Sequence, residues 1–171
     1  MEEYMNKNFI KLLLIFLSLG CISSCSAKIY TVANQSMQKT ISIGDHILVK
    51  LAKYQTNEIK RGDIVIIKIN MDNEKTFTRQ CKRIIGLPGD NIKILNDIVY
   101  INDTKLDESY VYLEPMDEKV LGITEYNKYN IPDNCFFYLG DNRHNSLDSR
   151  QYGPVKIENI MGKVINIIRK K

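Results

Sequence analysis

Ser36, in the stretch NQSMQKT (34–40), has the residue type of a nucleophile. A serine hydroxyl attacks a carbonyl only when a base takes its proton. The chain has two histidines. His46 lies in GDHILV at the start of a β-branched run, where a lone histidine more often packs or faces water. His144 lies in a polar turn, DNRHNS, and no local spacing marks it as part of a triad. The third candidate base is Lys82, in QCKRIIGLPGD beside Ile84 and Ile85. Burial disfavours an ammonium ion, and buried lysines fall to pKa values of roughly 5–6. The neutral amine is then a general base near neutral pH. On spacing alone the plainer alternative stays open: Lys82 and Arg83 point to opposite sides of a strand, so one of them can simply face solvent. No Cys/His spacing suits a zinc site, and no cofactor is implied.

A framework is needed to hold these groups, and the sequence supplies strands. HILVK and DIVIIKI are β-branched runs opened by Gly44-Asp45 and Gly62-Asp63. TFTRQCKRIIGL predicts a strand ending at the Pro88-Gly89 turn. IKILNDIVYIND predicts a hairpin turning at Asn96-Asp97, with a second turn at Asn102-Asp103. CFFYLGDN predicts a strand running into a turn, and MGKVINII a closing strand. Residues from about 103 to 134 are polar and tyrosine-bearing, and form an irregular excursion in this reading. No amphipathic helix and no internal repeat stands out. The class is mainly β.

The 171 residues, 44% hydrophobic, suffice for one domain with a core. The net charge of +4 is scattered except at Arg169, Lys170 and Lys171. No basic stripe suggests nucleic acid. Leu12 to Ala27 carries no charge and follows Lys7 and Lys11. It is short for a spanning helix, which wants about 20 apolar residues. It suits a signal segment or short anchor helix, and ISSC, ending at Cys25, resembles a bacterial lipobox. Anchor and lipoprotein both remain open. Either makes residues 1–27 a membrane segment and 28–171 an exported domain. Cys81 and Cys135 lie in that domain, where a disulfide is permitted.

Taken together, three stretches resemble the boxes of type I signal peptidases: SMQKTISIGDHILV (36–49), RGDIV with KRIIGLPGD (61–65, 82–90), and GDNRHNSLDSRQYGPV (140–155). Their order and approximate separations fit that family, and the last is the most specific. The resemblance implies twisted antiparallel sheets behind a short N-terminal hydrophobic helix. It implies a membrane-tethered serine–lysine endopeptidase of the bacterial cytoplasmic membrane, with its catalytic domain on the extracytoplasmic face. Its partners would be signal-peptide-bearing preproteins and membrane lipid; it would be a monomer with no nucleic-acid role. Ser36 matches the nucleophile and Lys82 the general base. Ser146 matches a serine that orients the lysine, and Asp148 and Arg150 a structural ion pair. The Ser36 N–H and Asn34 match the oxyanion positions. Val32, Met37, Ile41 and Cys81 match pocket positions that take small side chains before the cut, as in Ala-x-Ala. Three residues depart from the family pattern. Lys39 stands where proline is usual, His144 where aspartate is usual, and Asn34 where a serine is frequent. Two rival readings are a plasmid-transfer pilin-processing peptidase of the same clan and a catalytically silent, membrane-tethered binding protein on this scaffold.

Overall fold

The computed structural model describes residues 26–71, 76–113 and 125–170. The expected N-terminal helix lies outside them. Among the described residues no helix is long and apolar enough to cross a membrane.

In chain order the strands are β1 (Ser26–Thr31), β2 (His46–Leu51), β3 (Ile64–Met71), β4 (Thr76–Gly86), β5 (Asn91–Leu95), β6 (Ile98–Ile101), β7 (Thr104–Lys105), β8 (Tyr126–Asn130), β9 (Cys135–Leu139), β10 (Val155–Lys156) and β11 (Ile160–Ile168). They form a seven-stranded sheet, ordered β1-β2-β11-β3-β4-β9-β10, and a four-stranded sheet, ordered β7-β6-β5-β8. All the pairings between these strands are antiparallel. The chain is therefore mainly β, as its β-branched runs predict. The stretch read as an irregular excursion carries β7 and β8, which form the two edges of the smaller sheet.

Turn chemistry sets the hairpins. Leu95 pairs with Ile98 across Asn96-Asp97, and Ile101 pairs with Thr104 across Asn102-Asp103. All four turn residues have positive φ, from 49° to 64°. Two-residue hairpins favour this conformation because its twist matches that of the strands, and Asn and Asp tolerate it.

The strands alternate sides, and the core follows. On β3, Val65 and Ile67 pack with Ile84, Phe136 and Tyr138. Ile66, between them, faces the other way, onto Met37, Ile41, Ile47 and Val49. On β9, Phe137 and Leu139 join Ile85 and the smaller sheet's Ile92, Ile94, Val99 and Ile101. This third cluster fastens the two sheets together. β4 is exposed along Thr76–Arg79 and buried from Lys82 apart from a half-buried Arg83. Lys82 thus sits where the strand enters the core.

No amphipathic helix stands out in the sequence, yet Ser149–Tyr152 forms one short turn, α1. Four residues are too few to show a 3.6-residue period. The available signal was the capping box: Asp148 caps α1 and Gln151 bonds back to the Asp148 N–H at 2.9 Å.

Candidate active site

Lys82 pairs with Val65 across the β3–β4 ladder, so its side chain shares the face of Ile84, two residues on. It is 3% exposed. Burial pulls its pKa down from 10.5 to about 8, against the opposing pull of Asp148. The site therefore holds a lysine that is partly neutral at physiological pH. Cys81, next in the chain, faces the opposite side, and burial pushes its thiol up to about 12. A thiol so rarely ionised is a poor nucleophile. Cys81 and Cys135 are both free.

Ser36 is 7% exposed and lies in a tight turn before β2. Gln38 N–H donates to Gln35 O at 2.9 Å, and Ile41 N–H to Met37 O at 2.7 Å. Met37 and Ile41 are buried in the core and pin the turn from below. The Ser36 carbonyl accepts from Asn142 N–H at 3.0 Å, which ties the turn to the GDNR box. The Ser36 hydroxyl donates to Asn34 Oδ1 at 3.0 Å, and the Ser36 N–H reaches the same oxygen at 3.2 Å.

Gly140 is the meeting point. In the β4–β9 ladder Arg83 pairs with Leu139, which brings the next residue, Gly140, beside Lys82. A Cβ on Gly140 would overlap both Ser146 Oγ and the Ser36 carbonyl oxygen. Only a residue without a side chain lets the two serines approach the lysine strand this closely. Ser146 is 1% exposed, and its Oγ has no hydrogen-bond partner among the described residues. Buried hydroxyls are normally satisfied, and this one is an exception.

Asp148 and Arg150 form a buried two-pronged ion pair: Nε to Oδ1 at 2.8 Å and Nη2 to Oδ2 at 2.9 Å. Asp148 Oδ2 also accepts from Gly140 N–H at 3.1 Å. Arg150 Nη2 donates to Arg143 O at 2.7 Å and reaches Ser146 O at 3.5 Å. This pair fixes Gly140 and Ser146 together. Breaking such a pair strands a buried charge, which costs about 3–5 kcal/mol.

Other supports were not expected from the sequence. Arg83 forks onto Asp141, with Nε to Oδ1 at 2.9 Å and Nη2 to Oδ2 at 2.6 Å, and stacks 3.9 Å from the Tyr110 ring centroid. Thr40, four residues past Ser36, donates to the same carboxylate. Arg143 bonds Glu108 at 2.6 and 3.1 Å, and Tyr112 bridges Asn142. In the sequence Asp141, Asn142 and Arg143 read as a turn that fixes the last box, with no chemistry of their own; here they bond to Arg83, the Ser36 carbonyl and Glu108. The histidines are placed elsewhere. His46 Nδ1 lies 3.0 Å from Thr31 Oγ1. His144 Nε2 lies 3.1 Å from Asp97 Oδ2, in the smaller sheet's turn.

Val32, Met37, Ile41 and Cys81 line one cavity of about 240 Å³, together with Ala33, Asn34 and Ile66. It reaches the Ser36 turn through Asn34 and Met37, and most of its lining residues are apolar. On β4, Thr76–Cys81 pair with β3, and among the described residues no strand pairs with their other side. That edge leaves backbone groups available to an extended chain. Among the described residues no cluster of His, Cys, Asp or Glu is fit to hold a metal.

The sequence matches the family described as "Signal peptidase, peptidase S26" over residues 5–168. It is 40% identical over 144 residues to Signal peptidase I of Bacillus caldolyticus, covering 79% of this chain and 75% of that protein. It is 33% identical to Probable signal peptidase I-2 of Synechocystis sp., covering 87% of this chain and 66% of that protein. It is 39% identical to Signal peptidase I U of Bacillus subtilis, covering 72% and 65%. A crystal structure of a signal peptidase I from Enterococcus faecalis aligns at 27% identity and a TM-score of 0.47, covering 62% of this chain and 96% of that one. The chain belongs to the signal peptidase family, peptidase S26, a family of serine endopeptidases.

Proposed function

We propose that this chain is a membrane-tethered endopeptidase that removes N-terminal signal peptides from exported preproteins, with Ser36 as nucleophile and Lys82 as general base. The observation that carries the reading is Lys82: a buried lysine with its pKa drawn down to about 8, one strand from a glycine that admits two serines. The signal peptidases it resembles supply the substrate class.

In this mechanism the substrate lies extended along the open edge of β4. Small side chains before the scissile bond enter the cavity lined by Val32, Met37, Ile41 and Cys81. Neutral Lys82 takes the Ser36 proton as Oγ attacks the carbonyl carbon. The Ser36 N–H donates to the oxyanion that forms. Lys82, now an ammonium, returns the proton to the departing amine. An acyl-enzyme remains on Ser36, and water activated by the regenerated amine releases it. Ser146 orients the amine, while Asp148 and Arg150 hold the frame. Residues 1–27 tether the domain, as an uncleaved helix or through lipid on Cys25, with residues 28–171 outside the cytoplasm. We assign it as a monomer, with signal-peptide-bearing preproteins and membrane lipid as its partners.

Cleavage of a preprotein after an Ala-x-Ala site tests this. Ser36→Ala and Lys82→Met should each abolish turnover with the fold intact. Undiminished cleavage in either variant removes the dyad.

A further inference from the structure

Asn34 holds the two groups that acylation requires. Its Oδ1 accepts from the Ser36 hydroxyl at 3.0 Å and from the Ser36 N–H at 3.2 Å. A backbone N–H can only donate, so the atom facing it must be an acceptor, which fixes the oxygen end of the carboxamide toward Ser36. The amide's donor end faces away. The side chain is exposed and lines the substrate cavity. It therefore stands where an arriving carbonyl oxygen would seek the Ser36 N–H.

We infer that Asn34 is a latch on the nucleophile: its carboxamide oxygen occupies the oxyanion donor at rest, and substrate must displace it before Ser36 attacks. The inference rests on Ser36 being the nucleophile. While latched, the Ser36 hydroxyl spends its proton on Asn34, and the N–H is already spent on an oxygen of the wrong molecule. An exposed side chain swings out readily, so the latch slows the enzyme without closing it. Removing one modest hydrogen bond changes an equilibrium by about three- to tenfold, and that sets the size of the effect.

Substitutions at position 34 separate this role from two others. A turn cap needs only an acceptor, so a cap would make Asp as good as Asn and both better than Gly. An oxyanion donor needs the amide N–H, so Asp and Gly would both be slow. A latch gives a different order, because a carboxylate accepts more strongly and glycine not at all. In full-length protein, kcat/KM for a preprotein peptide should rise about three- to tenfold in Asn34→Gly and fall by a similar factor in Asn34→Asp. Thermal midpoints measured alongside report whether each variant is folded, and Asn34→Ala, which also lacks an acceptor, serves where glycine loosens the turn. Gly and Ala variants slower than the unaltered chain, or an Asp variant as fast as it, overturn the latch. Ser36→Ala, assayed in parallel, keeps the two questions apart: activity there removes the nucleophile, whereas an inert Ser36→Ala beside a slow Asn34→Gly removes only the latch.

Discussion

At the scale of single residues, burial of Lys82 carries a stability cost. Its pKa of about 8, against an ordinary 10.5, means that the folded protein resists holding the charge. The sign follows from proton linkage. Below about pH 8 both folded and unfolded states are protonated, and the folded state bears the full penalty. Between about 8 and 10.5 the unfolded chain binds more protons, so stability rises with pH. The penalty amounts to about 3 kcal/mol at neutral pH. Lys82→Met should accordingly raise stability at pH 7 by up to that amount while eliminating activity. Urea denaturation at pH 7 and pH 10 checks it: the gain should shrink at the higher pH, and a destabilised variant would contradict the account. Lys39 makes a second case. Its φ is 70°, and its ammonium lies 4.6 Å from the Tyr112 ring centroid. Proline, usual at this position in the family, is locked near −65°. Restoring it here should destabilise the fold by about 2–3 kcal/mol, whereas Lys39→Gly should remain close to the unaltered protein. Equal thermal midpoints for Lys39→Pro and Lys39→Gly would contradict a left-handed turn at this position.

At the scale of elements, the site is the junction of β4, β9 and the turn before β2. Gly140 makes the junction possible, since even a methyl group there would overlap Ser146 and Ser36. Gly140→Ala should reduce kcat by about a hundredfold or more, because a displacement near 1 Å has that effect on positioned groups. Steady-state kinetics with a circular dichroism spectrum distinguish this from unfolding; near-normal turnover would show that the serines need not approach so closely. The element scale also marks what the sequence discloses. Alternating β-branched runs and Asn-Asp turns announce β3, β5, β6 and β11, because those signals are local. The pairing of Arg83 with Asp141, or Arg143 with Glu108, joins residues 58 and 35 positions apart. No local pattern encodes such partners; they arise only once β4 and β9 are neighbours. Strand alternation left either Lys82 or Arg83 free to face solvent; Lys82 is buried and Arg83 is a brace.

Across the whole molecule, the two sheets divide the work. The seven-stranded sheet carries Lys82, the Ser36 turn and the last box. The smaller sheet and the segment that follows β7 brace that box through Asp97–His144 and Glu108–Arg143. The His144 departure finds its physical place here, as an imidazole against a carboxylate on the neighbouring sheet. Ser36 and Lys82 were legible as candidates from residue type, and their coupling only from resemblance to a family. Spacing alone left Lys82 as a surface residue or a base, since 46 positions separate it from Ser36 and topology alone determines their relation. The direction of the Asn34 carboxamide was not legible at all, because it depends on which atom meets a backbone donor.

The central claim is that a neutral lysine is the base, and the pH dependence of kcat/KM on a preprotein peptide addresses it most directly. With Lys82 titrating at about 8, roughly a tenth of the enzyme is active at pH 7 and half at pH 8. The account predicts a rate that climbs with unit slope below that point and levels above it. An inflection near 6.5, where a histidine titrates, or a profile flat from acid to alkali, would contradict it.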